Sequence, residues 1–287
     1  MHTPTLTQSA VCTTLALMLA ACGDGGEVFT PPPPFEDTED VKVWATTASA
    51  VALYSNVNQD IAVFQGQQTY ADSSCPVLED DGSTYSATGG CTDSDDKEWK
   101  GKLTIERDGD DFLLDYDGFD GHQGTFSVHQ VEPALHEFEA KLTFGGFTIV
   151  DYIGSVQGGY DQRTIWNGNG TVERDGFLPP NGTVEANTLN EIVDNEVCAG
   201  QPASGTTTLR SGEDKAVIAY DGESDCDENK NAQLTVNGED RGMVEGINCR
   251  ASAAGAPASR GACALLASCG ALFMLRKRRF IGRATKV

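Results

Sequence analysis

The dipeptides Asp-Gly and Asn-Gly punctuate this chain at Asp81, Asp108, Asp117, Asp120, Asn167, Asn169, Asp175, Asn181, Asp221 and Asn237. Such pairs favour positive φ and close tight hairpin turns. Between them lie stretches that alternate apolar and polar residues, the period of a strand with one buried face. "WKGKLTIERDGDDFLLDY" shows this best. A two-residue turn at Asp108-Gly109 sets Ile105 opposite Phe112, Leu103 opposite Leu114 and Gly101 opposite Tyr116, all on one face. In "TFSVHQVEPALHEFEAKLTF" a turn around Pro133 pairs Val128 with Phe138 and Phe126 with Ala140. Short strands at this spacing predict a mainly β fold, an antiparallel meander, sandwich or barrel-like sheet.

One segment breaks the pattern. "DVKVWATTASAVALYSNVNQDIAVF" contains neither Pro nor Gly, and Trp44, Ala48, Val51, Tyr54, Val57, Ile61 and Phe64 recur at steps of three and four. That period predicts one N-terminal amphipathic helix over 40–66, laid against the sheet. Thr38 or Asp40 can cap it and Gly66 can stop it. A weak repeat follows: "RDGDDFLLDYDG" (Arg107 to Gly118) is similar to "RSGEDKAVIAYDG" (Arg210 to Gly222), each a turn, a strand and Tyr-Asp-Gly. The β region divides into 67–190 and a small Cys-containing C-terminal β unit at 191–250, with a soft boundary at "NEIVDNEVCAGQPASG".

Charge narrows the partners. Six of the 20 Lys and Arg lie at or beyond Arg276, and residues 1–22 carry no charge. Residues 23–275 therefore hold 14 bases against 43 acids, a balance of −29. Such a surface repels phosphate backbones, so nucleic acid is excluded as a partner. It suits an exported module, or one that meets divalent cations.

The ends concern address. Val11 to Ala21 is an apolar run too short to span a bilayer, and it ends in "LAAC", Leu19 to Cys22. This resembles a bacterial lipobox, closing a lipoprotein signal peptide at 1–22. The resemblance implies that Cys22 receives a diacylglycerol and becomes the mature N-terminus. "MHTPTLTQS" before it lacks the Lys or Arg such signals usually carry. Residues 23–39 include four prolines, Pro31 to Pro34, a stiff and extended tether.

At the other end, the small-residue linker 251–261 leads into an apolar run, Ala262 to Leu275, and then Arg276, Lys277, Arg278 and Arg279. The run is shorter than the roughly 20 residues a spanning helix needs. Segment 262–287 resembles a C-terminal sorting tail of the myxobacterial type. That resemblance implies removal by a membrane protease, with Cys249, Cys263 or Cys269 standing for the family's cysteine. A plain membrane anchor is the alternative.

Export permits disulfides. Of nine cysteines, Cys75 and Cys91 flank a turn-rich stretch and are expected to pair. Cys198, Cys226 and Cys249 fall at one end of the predicted C-terminal strands. Cys198 with Cys226 is the favoured pair, leaving Cys249 beside the tail. The chain has no CxxC, which argues against a zinc ribbon or a thioredoxin-like site.

Candidate chemistry is sparse. His122, His129 and His136 recur every seven residues, but in the predicted hairpin His129 opposes Glu137 and points away from the face of His136. They are read as hairpin residues rather than as metal ligands. Acidic loops are the better cation candidates: Asp93, Asp95 and Asp96 in "DSDD", and Asp225, Asp227 and Asn229 in "DCDEN". Alternate carboxylates can converge on calcium, though neither loop has the glycine and distal Glu of an EF-hand. Ser155 lies in the Gly-rich "IGSVQGG" with no histidine in a motif relation to it. No G-x-S-x-G, HExxH or Walker loop occurs.

The expectation is a non-catalytic, exported lipoprotein, structural or ligand-binding, without an obligate cofactor. Its partner is the membrane, through the lipid anchor, the tail or both. It sits at the outer membrane or cell surface, or on the inner membrane facing the periplasm. Alternatives are a calcium-dependent adhesin or carbohydrate binder, a barrel carrying an apolar ligand, and an envelope hydrolase.

Overall fold

The computed structural model describes residues 35–70, 72, 74–158, 163–175, 180–194, 202–222 and 232–244. Two helices come first, α1 (Thr38–Ala48) and α2 (Ala50–Phe64). Then follow β1 (Val77–Asp80), β2 (Thr84–Thr88), β3 (Cys91–Thr92), β4 (Glu98–Trp99), β5 (Lys102–Asp108), β6 (Asp111–Asp117), β7 (Gln123–Glu132) and β8 (Leu135–Phe144). The chain continues with β9 (Phe147–Gln157), β10 (Arg163–Arg174), β11 (Gly182–Asp194), β12 (Pro202–Ser211), β13 (Asp214–Asp221), β14 (Ala232–Val236) and β15 (Glu239–Val244).

Thirteen strands form one antiparallel sheet in the order β1-β2-β5-β6-β7-β8-β9-β10-β11-β12-β13-β14-β15. This is a meander, and β3 and β4 form a two-stranded ribbon between β2 and β5. The fold is mainly β and antiparallel, as the turn spacing predicts. The hairpin turning at Pro133 has the expected register, Val128 opposite Phe138 and Phe126 opposite Ala140. The β5–β6 register differs by two residues. Ile105 pairs with Leu114 and Leu103 with Tyr116, because the turn is Gly109-Asp110 and Asp108 faces Asp111. A shift of two leaves every side chain on its predicted face.

The predicted single helix is two. Asp37, rather than Thr38 or Asp40, caps α1 by accepting from the Asp40 N–H at 2.8 Å. Ser49 is extended (φ −76°, ψ 154°), and its hydroxyl caps α2 by accepting from the Ala52 N–H at 3.1 Å. A serine suits such a break because its side chain replaces the lost helical bond. The break also frees the Ala50 N–H, which donates to Thr188 Oγ1 of β11 at 3.0 Å.

α2 is buried on nearly every side, including Val51, Leu53, Tyr54, Val57, Ile61 and Val63. A helix buried on most sides needs neighbours on most sides, and its polar residues Ser55, Asn58 and Asp60 are buried with the apolar ones. Tyr54 meets Phe126, Phe138 and Trp166 edge-on at 5.3–5.7 Å, while Phe64 packs on Tyr85 and Phe112. These partners come from β2 through β10, so the sheet curves about α2.

The expected separate C-terminal β unit is instead the end of this sheet. The boundary near 190 falls inside β11, and β12–β15 continue the ladder. Leu209, Ala216, Ile218 and Leu234 join the same hydrophobic core as the helices. The physical reason is parity: Ala186 pairs with Leu209, and Leu209 with Ala216, so one buried face runs through all these strands.

Two predicted turns are not turns. Asn167-Gly168 and Asn169-Gly170 lie within β10. A Cβ on Gly168 or Gly170 would lie 2.6 Å from atoms of the Tyr152 ring, so these glycines make room for an aromatic side chain. Gly154 does the same for Phe138, whose Cζ would lie 2.1 Å from an added Cβ. Gly154→Ala is expected to lower stability by about 1–3 kcal/mol through overpacking. A urea midpoint equal to wild type would contradict this packing role.

Candidate functional site

The disulfide expected between Cys75 and Cys91 is present, with Cα atoms 6.0 Å apart. It ties the segment before β1 to the β3–β4 ribbon. Closing a loop of this length stabilises by about 3 kcal/mol in the chain-entropy description.

The "DSDD" loop follows. Asp93 is buried, and its Oδ1 accepts from the Asp95 and Lys97 N–H groups at 2.9 and 3.0 Å. Its Oδ2 accepts from the Trp99 indole at 2.8 Å. The indole, with the loop N–H groups, holds the Asp93 carboxyl below the usual range. These bonds give Asp93 a place in the loop's own architecture, while Asp95 and Asp96 are exposed. Among the described residues no cluster of three or more His, Cys, Asp or Glu is placed to hold a metal.

The histidines divide as the register predicts. His129 opposes Glu137 and pairs with Asp111 at 2.5 Å, whereas His136 shares the parity of buried Phe138. Burial lowers the His136 pKa. His122 stacks between Tyr116 and Phe144. Ser155 stands in mid-strand, opposite Glu137 and Asn167. Cys22, Cys198, Cys226, Cys249, Cys263, Cys269, Asp225, Asp227 and Asn229 lie outside the described residues.

Two carboxyls that the sequence pattern did not single out lie in the core. Asp60 of α2 accepts from Tyr70 Oη at 2.7 Å and from Tyr116 Oη at 2.9 Å, one on each oxygen. Burial raises its pKa, against the lowering effect of Tyr70, His122 and Tyr116. Asp60 sits three residues from Val57 and one from Ile61, on the apolar stripe, and that position was the available signal.

Glu191 of β11 is fully buried. Thr207 Oγ1 donates to its Oε1, and Oε2 has no hydrogen-bond partner among the described residues. Thr188 Oγ1 lies 3.4 Å from both Thr207 Oγ1 and Tyr152 Oη, and also accepts from Ala50 N–H. Burial pushes the Glu191 carboxyl up to about 7, with the Thr207 bond acting the other way. A bulge aims it inward. Val184, Ala186 and Thr188 face the core, but so do Glu191 and Val193. The parity changes at Leu189 and Asn190, which together stand opposite Asn167 alone. Asn190 has φ +51°, and its N–H donates to Asn167 Oδ1 at 2.8 Å. Gly205 backs this bulge: a Cβ there would lie 2.2 Å from the Asn190 carbonyl oxygen. Bulges commonly re-aim a side chain in this way. Glu191 is sealed from solvent, so it is a core carboxyl rather than part of an open site.

The opposite face of the same strands carries a groove of about 510 Å³. Asp151, Thr171, Glu185, Arg210 and Lys215 form one row across β9 to β13, each directly opposite the next. Ile153, Asn169, Asn187 and Thr208 form the adjacent row. Comparison with models of known protein families, with curated proteins and with solved structures finds no match to this chain.

Proposed function

We propose that the protein is an exported, lipid-anchored module of the cell envelope that acts by binding rather than by catalysis. The observation that carries this reading is the order "LAAC", proline tether, folded body, which a surface lipoprotein requires. The Cys75–Cys91 disulfide supports an oxidising compartment. The acidic balance of the body fits exposure to solvent rather than to nucleic acid. The core carboxyls Asp60 and Glu191 are enclosed, while the polar groove lies open on the outer sheet face, an arrangement suited to a ligand. The C-terminal segment then serves as a processing signal that holds the precursor in the membrane during export.

Cells making the protein are expected to incorporate labelled palmitate, and cells making Cys22→Ala are not. Equal labelling of the two would overturn the anchor. The intact mass of the mature protein is expected to lack roughly the last 25–40 residues, and a full-length C-terminus would make the tail an anchor instead.

A further inference from the structure

We infer that the outer face of β9–β13 binds a short acidic oligosaccharide, with its carboxylate on Arg210 and Lys215 and its neutral rings over Asn187, Asn169 and Thr171. The inference rests on the reading of the protein as a binding module, and is independent of how that module is anchored.

The first observation is a charge pair. Arg210 and Lys215 are direct cross-strand neighbours on β12 and β13. Like charges placed opposite one another destabilise a sheet. In a chain with 43 acids and 20 bases, each could have been given an acidic partner. Elsewhere Lys42, Lys97, Lys100, Arg163 and Arg241 form ion pairs, Arg107 and Arg174 lie over aromatic rings, and Lys102 and Lys141 stand singly, neither of them opposite another cation. Neither Arg210 nor Lys215 makes an ion pair within the described residues, although Glu185 is directly opposite Arg210. Two adjacent cations that make no ion pair among the described residues, on one wall of a groove, present a site for an anion.

The second observation is what lies beside them. Asn169 and Asn187 are exposed, directly opposite each other, and their side-chain amides make no hydrogen bond within the described residues. Thr171 and Thr208 add hydroxyls along the same groove. Amides and hydroxyls side by side offer both donors and acceptors, the pattern that polyol hydroxyls need. Ile153, 56% exposed, gives an apolar spot for a ring's C–H face. The floor is the backbone of Gly170 and Ala186, which allows close approach. A groove of about 510 Å³ is within the range of small-ligand sites. From β9 to β13 it spans about 19 Å at ordinary strand spacing.

The third observation selects the class of anion. Asp151 and Glu185 lie in the same row, so the lining carries two acids and two bases. A polyanion such as nucleic acid or a polyphosphate would set charge against Asp151 and Glu185 and is repelled by the chain's net charge of −23. A ligand with one carboxylate and many hydroxyls meets no such penalty, since Asp151 and Glu185 can accept from its hydroxyls.

The test uses the full-length protein in a polyoxyethylene detergent, titrated calorimetrically with xylotriose bearing one glucuronic acid. Xylotetraose supplies the rings without the charge, and succinate the charge without the rings. Saturable binding of the acidic saccharide is expected, at least tenfold tighter than either control and weaker as salt is raised. The double variant Arg210→Gln/Lys215→Gln is expected to lose at least tenfold in affinity with a melting temperature no lower than wild type, since it removes the opposed like charges, and Asn187→Ala several-fold. Absence of saturable binding, equal binding by the double variant, or succinate binding as tightly as the saccharide would each overturn the proposal. Palmitate labelling of Cys22 is unaffected by any of these outcomes, so failure of the groove and failure of the anchor are read separately.

Discussion

Wild-type protein is expected to lose about 3 kcal/mol of stability between pH 4.5 and pH 7.5 that Glu191→Gln does not lose. The folded protein holds the Glu191 carboxyl at about 7, against an ordinary value of 4.5, because burial penalises the charge. The folded state therefore binds this proton more tightly than the unfolded chain does. Stability from the neutral carboxyl is complete below the unfolded value and falls as pH rises through about 7, by roughly 1.4 kcal/mol per unit of difference. Gln stays neutral throughout. Its extra amide hydrogens can shift the whole curve by about 1–3 kcal/mol, so the pH dependence of the difference is the readout. Urea denaturation of both proteins at half-unit steps of pH measures it. Parallel curves would show that Glu191 is not held neutral by the core.

Asp60→Ala is expected to cost about 3–5 kcal/mol. Tyr70 and Tyr116 are buried, and each donates to a separate oxygen of Asp60. Removing the carboxyl strands both hydroxyls at about 1–3 kcal/mol each and leaves a small cavity. Asp60→Asn keeps one acceptor and should cost less than half as much. Tyr70→Phe combined with Asp60→Ala should cost less than the sum of the two single changes, because the first change removes one of the stranded hydroxyls. Chemical denaturation of the four variants decides this, and additive losses would mean that the hydroxyls find other partners.

These two carboxyls show how much of the molecule was legible in advance. Asp60 was not singled out, although its place beside Ile61 and three residues from Val57 was a readable signal, and nothing local indicated two tyrosines waiting for it. Glu191 gave no such sign. In unbroken alternation from Val184, residue 191 faces outward, and only the bulge at Asn190 turns it inward. That bulge depends on Asn167 and Gly205, which lie 23 and 15 positions away in sequence and are brought together by pairing. The groove was half legible. The Gly212-Glu213 turn sets Arg210 beside Lys215, but their alignment with Asn187 and Asn169 needs two further strand registers.

The sequence by itself determined that the body is a run of antiparallel strands, the buried faces of β5 to β8, the disulfide between Cys75 and Cys91, and the presence of an apolar helical segment. All of these follow from short-range chemistry: turn residues, a period of two, a period of three to four, and cysteines flanking one loop. Tertiary structure alone decided that the helical segment breaks at Ser49, that β12–β15 extend a single sheet, and that Gly168 and Gly170 make room for Tyr152 rather than turn the chain. Each of those outcomes depends on a neighbour distant in sequence. Local propensity states which conformations a residue tolerates, and packing against that neighbour selects one of them.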